Sequence, residues 1–79
     1  MSPTVFRQGP YRFYFFSREE VRRHVHVQSP GGEAKFWLEP TIALAQNTGL
    51  NARELRVVQQ LIEERADELR IAWIRHFGP

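Results

Sequence analysis

Two imidazoles at positions i and i+2, His24 and His26, are the side chains of this chain best equipped for chemistry. On a strand that spacing points both to the same side. It is a bidentate arrangement that suits zinc, copper or nickel once a third ligand joins. His76, Glu39 and Glu19 are the candidates for that ligand, and spacing places none of them. With Lys35 or Arg12 beside them, the two histidines also supply the residue types of a metal-independent ribonuclease. One group would deprotonate a ribose 2′-hydroxyl, another would protonate the leaving oxygen, and a cation would sit at the phosphate. Partly buried histidines and polar binding contacts are the plainer uses of the same residues. There is no Gly-rich phosphate loop, no Ser–His–acid set at a recognisable elbow and no paired carboxylates in a supporting motif. The reading therefore leans away from an enzyme, and no cofactor is expected.

The elements that position these residues follow from pattern. Thr4 to Arg7 is a short strand candidate, and Gln8-Gly9-Pro10 is turn chemistry. Tyr11 to Phe16 is the densest run of β-formers, which predicts a strand near the sheet centre. Arg18 to Arg23 reads as a polar connection. His24 to Gln28 and Glu33 to Glu39 both alternate with period two, and Ser29-Pro30-Gly31-Gly32 joins them as a hairpin. Thr41 to Ala45 fits a short edge strand or one helical turn, and Asn47-Thr48-Gly49 fits a loop. From Asn51 a single long helix is expected over about 52–77, with Asn51 as N-cap, Glu54 completing a capping box and Gly78 beyond the last turn. At 1.5 Å per residue it would run about 38 Å. Leu55, Val58, Ile62, Ala66, Leu69 and Trp73 form its buried stripe.

The fold class expected is thus α+β. A small antiparallel sheet of four or five strands over about 4–45 packs against one C-terminal helix, in a single domain spanning 1–79. A hydrophobic content of 42% with six Phe and two Trp supports one real core and excludes a disordered chain. No apolar run approaches the roughly 18 residues of a membrane span, and no signal peptide is visible. Zero cysteines exclude disulfides and thiolate zinc sites, which fits a cytoplasmic protein with no membrane partner.

Period two splits the strands into two faces. Phe13, Phe15, Val25, Val27, Ala34, Phe36 and Leu38 make a wholly apolar set for the helix. Arg12, Tyr14, Phe16, His24, His26, Lys35, Trp37 and Glu39 make the other, where aromatics interleave with cations and imidazole. Such a face suits RNA or DNA, with rings stacking on unpaired bases and Arg or Lys meeting phosphates. It suits equally a protein partner, or a second small core closed by 41–50. Ten of the eleven strong bases are Arg, the residue that forks onto carboxylate or phosphate. Arg53 and Arg56 stand in the first turns of the helix, where the macrodipole disfavours cations. There they would serve an anion at the helix start, or pair with Glu39 or Glu54. Glu63 with Asp67 and Glu64 with Glu68 repel at i and i+4. Val57, Ile71 and Ile74 fall outside the buried stripe, which points to a homodimer or a partner surface.

The order of Pro3-Thr4-Val5-Phe6-Arg7, Tyr11-Arg12-Phe13, Phe16-Ser17 with Glu19, His24-Val25-His26-Val27, Ala34-Lys35-Phe36-Trp37-Leu38, Arg53-Glu54-Leu55 and the late Trp73 resembles a family of small bacterial proteins of unknown function with a Pro-His-x-His-Val signature. The chain departs from it at Arg23, where the signature has Pro. The resemblance implies that Glu19, His24, His26, Lys35 and Trp73 matter, with Trp73 in the core. It also implies a place in toxin–antitoxin-like gene pairs, but no activity. The function expected is a non-enzymatic binding module of such a partnered system, using the aromatic-basic face. A histidine-dependent ribonuclease toxin and a metal-binding protein are the alternatives.

Overall fold

Five strands zip together antiparallel in the order in which they occur. The computed structural model describes residues 4–16 and 21–79. Its strands are β1 (Thr4–Gln8), β2 (Tyr11–Tyr14), β3 (His24–Ser29), β4 (Gly32–Trp37) and β5 (Ala43–Thr48), paired β1-β2-β3-β4-β5. Every connection within the sheet is therefore local. The β3–β4 hairpin runs from Ser29↔Gly32 to His24↔Trp37. Gly32 admits no larger residue there: a methyl group on its Cα would overlap the Thr48 carbonyl and come 2.8 Å from Gly49 Cα. The segment expected to be an edge strand or a helical turn is β5, and it extends through Asn47 and Thr48 rather than turning there. The strands thus reach residue 48, beyond the expected limit near 45.

The C-terminal segment is two helices, α1 (Ala52–Glu64) and α2 (Ala66–Phe77), not one long helix. The break lies at Arg65 (φ −116°, ψ 24°), whose amide is shared between the Leu61 and Ile62 carbonyls at 3.2 Å each. A straight helix over 52–77 would run about 38 Å, longer than the 33 Å long axis of the backbone. Charge favours the same place. Asp67 and Glu68, repelled by Glu63 and Glu64 in a continuous helix, become the acidic first turn of α2, where the macrodipole stabilises them. Arg65 itself is anchored to β1, its guanidinium 4.2 Å over the Phe6 ring and donating to Gln8 Oε1 at 3.2 Å.

The core forms where the apolar sheet face meets the helical stripe. Phe13, Phe15, Val25, Val27, Ala34, Phe36 and Leu38 are buried with Val58, Ile62, Leu69 and Trp73. Leu55 and Ala66 are half-buried at its margin. Phe6 stacks on Phe13 at 4.3 Å, and Leu50 seals the corner before α1, its backbone held on both sides by the Asn47 amide. Each fully buried large side chain contributes about 1.5–3 kcal/mol. No helix among the described residues is long and apolar enough to cross a membrane.

Candidate functional site

Strand register arranges the second face in rows that run across the sheet. One row is Thr4, Tyr14, His26, Lys35 and Gln46, and the next is Arg12, Gln28, Glu33 and Thr48. A third joins His24 to Trp37 and Ala43. Among the described residues the β2–β3 ladder ends at Tyr14↔His26, and His24 has no strand partner on its β2 side. Segment 41–50 does not fold over this face. As β5 it lengthens the rows by one strand.

The aromatic rings of the face hold cations. The Arg12 guanidinium lies 4.4 Å over the Tyr14 ring, and His26 stacks against that ring at 5.4 Å. Arg12 is fixed further by donating to Thr4 Oγ1 at 2.7 Å. Trp37 carries two cations, the Arg22 guanidinium at 4.2 Å and the Lys35 ammonium at 4.6 Å. Tyr14 is only 8% exposed, and Trp37 is half-buried beside its two cations. The rings order the charges, each contact stabilising by about 0.5–2 kcal/mol. Phe16, 55% exposed, keeps an open ring, its plane edge-on to His26 at 6.0 Å.

The two histidines part company. His24 is buried, with Trp73 at 5.1 Å, His26 at 5.3 Å and Trp37 at 5.9 Å around its ring. Its Nδ1 donates to the Arg22 carbonyl at 2.7 Å, and because a carbonyl can only accept, that contact assigns the proton to Nδ1. His26 lines an open depression of about 380 Å³ with Tyr14, Phe16, Glu33, Lys35 and Gln46. A tighter recess of about 130 Å³ continues between Glu33, Lys35, Gln46 and Thr48. Burial, and after it the Glu33 carboxylate, raise the Tyr14 hydroxyl above its ordinary 10.0, with Arg12 pulling it down. The phenol therefore stays a donor on this face.

Arg53 and Arg56 are not part of this surface. They are exposed on α1, which packs against the opposite side of the sheet. The start of α1 is also already capped: Asn51 Oδ1 accepts from the Glu54 amide at 2.8 Å, and Glu54 Oε1 accepts from the Asn51 amide at 3.2 Å. Glu39 is held by Arg23 at 2.7 Å. His76 sits at the end of α2 beside Phe15 and Phe77. Neither extends the His24–His26 pair, and no group of three metal-ligating side chains occurs among the described residues. Glu19 lies outside the described residues. Sequence reasoning missed Arg22, which it left in a connection, and Gln46 and Thr48, which it did not recognise as strand. For Gln46 the signal was the outward position opposite Lys35; for Arg22 there was none.

Residues 11–74 match a family described as a domain of unknown function, DUF4160. No curated protein and no solved structure shows significant similarity to the chain.

Proposed function

The chain belongs to the DUF4160 family, and on that footing we propose that it is a non-enzymatic binding module whose second sheet face takes single-stranded RNA. In this reading it is one member of a partnered bacterial regulatory system of the toxin–antitoxin type, the setting its family resemblance implies. The observation that carries the reading is the ordering of Arg12, Lys35 and Arg22 over Tyr14 and Trp37 on one face. A cation already held over a ring loses less freedom when it meets a phosphate, so the contact is stronger for the same charge. Phe16 adds an exposed ring at the rim for an unpaired base.

The non-enzymatic part rests on His24. A two-histidine ribonuclease needs both imidazoles at the scissile phosphate, whereas the His24 ring is enclosed and its Nδ1 committed to Arg22. The test is fluorescence anisotropy with a labelled single-stranded RNA. Arg12→Ala, Lys35→Ala and Trp37→Ala are each expected to weaken binding about tenfold, equivalent to about 1.4 kcal/mol. Unchanged affinity in all three variants, or no binding by the parent protein, overturns the reading. Shortening of the RNA that disappears in His26→Ala would replace it with a ribonuclease. A protein captured by the same face in place of RNA would make the module a protein-binding one.

A further inference from the structure

Cations over rings account for phosphate contact but leave the depression beside them unused. Its walls are unlike the rest of the face. Among the described residues, the Glu33 carboxylate and the Gln46 amide make no hydrogen bond and no ion pair, although both line the depression and its inner recess. Lys35 stands in register between their strands, paired to Gln46 across β4–β5 and two residues from Glu33 along β4. The strand pairing is also irregular at this point. The β4–β5 register jumps from Lys35↔Gln46 to Phe36↔Leu44, leaving Ala45 as the extra residue of a bulge. A bulge bends its strand and re-aims the side chains beside it, and here that side chain is Gln46.

We propose that this depression is a nucleobase pocket that selects guanine, an inference that rests on the RNA-binding reading above. The Watson–Crick edge of guanine offers two adjacent donors, N1–H and the N2 amine, which match the two oxygens of Glu33. Its O6 and N7 are acceptors, which match donors from the Lys35 ammonium and the Gln46 amide. Adenine turns a lone pair at N1 toward the same carboxylate. Uracil sets a carbonyl on either side of its single donor, and cytosine offers only its N4 amine. Phe16 lies at the rim as a stacking wall, and the neutral Tyr14 phenol is one more donor beside Glu33. Reading an unpaired base by stacking plus hydrogen bonds to its edge is the usual mode of sequence-specific RNA recognition.

The test compares two single-stranded RNAs, repeating U-U-G and repeating U-U-A, by anisotropy with the full chain. The U-U-G strand is expected to bind about tenfold tighter or more, the discrimination typical of one bidentate base contact. In Glu33→Gln the two strands should bind within about twofold of each other, and Gln46→Ala should narrow the preference partially. Both positions are exposed, so neither change threatens the fold. Equal binding of both strands by the parent protein, with the Lys35→Ala loss intact, overturns the guanine pocket and leaves RNA binding standing. Tighter binding of both strands by Glu33→Gln, with the preference unchanged, also overturns it, because Glu33 would then act only by repelling phosphates. Failure of both strands to bind sinks this inference and the RNA reading together.

Discussion

His24 and His26 are two residues apart on one strand, yet one is enclosed and the other, half-buried, lines an open depression. The difference lies in their neighbours. His26 has Tyr14 and Lys35 beside it in the sheet, whereas among the described residues the β2 ladder stops before it reaches His24, whose ring packs 5.1 Å from Trp73. Removing the His24 ring should therefore leave a cavity and an unpartnered Arg22 carbonyl. His24→Ala is expected to cost about 2–4 kcal/mol, whereas His26→Ala costs about 1 kcal/mol and acts on binding. Urea denaturation of the two variants checks the contrast, and equal losses would contradict it. Tyr14 gives a second handle. Its hydroxyl is raised above 10.0 in the folded state, first by burial and then by Glu33. The folded protein thus holds the phenol proton more tightly than the unfolded chain does. That stabilisation is complete below pH 10 and is lost as pH rises through the folded value. Unfolding measured across the alkaline range should show the parent protein losing stability relative to Tyr14→Phe, and a constant difference would refute the assignment. Period two could place these residues on a side, but it carries no information on which cation lies over which ring.

At the scale of elements, alternation and capping chemistry were legible because each is a local property. The strands expected over 11–16, 24–28 and 33–39 are found at Tyr11–Tyr14, His24–Ser29 and Gly32–Trp37, with boundaries shifted by one or two residues, and the Asn51–Glu54 capping box is present. β5 was harder to read. Ala43-Leu44-Ala45-Gln46-Asn47-Thr48 has little intrinsic β-preference and is a strand because β4 offers it an edge. The helix break carries no Pro or Gly to announce it. Its legible trace was the repulsion across Glu63, Glu64, Asp67 and Glu68, which a second helix start relieves. Gly32 tests how tightly the hairpin and β5 are joined. Gly32→Ala forces a methyl group into the Thr48–Gly49 backbone and should destabilise by about 2–3 kcal/mol, lowering the melting temperature by about 10–20 °C. A melting curve matching that of the parent protein would show that β5 can shift away at no cost.

At the scale of the whole molecule, the sheet separates two surfaces that differ in chemistry. Its apolar side is spent on α1 and α2, and its other side keeps ordered cations, an open ring and a polar depression. The formal charge of +2 gives no hint of this division, because what matters is where the arginines lie. Arg12, Arg22 and Lys35 share the open face, while Arg53 and Arg56 stand behind the sheet on α1. Counterion release turns that geometry into a measurement. Three phosphates neutralised on single-stranded RNA give a slope of log K against log salt of about −2. Lys35→Ala should make the slope shallower by about 0.7. Arg53→Ala and Arg56→Ala remove as much formal charge each, yet should leave both slope and affinity within error of the parent protein. Anisotropy titrations at several salt concentrations separate the two outcomes. If the α1 variants flatten the slope as Lys35→Ala does, binding follows net charge, and the open face has no special claim to the ligand.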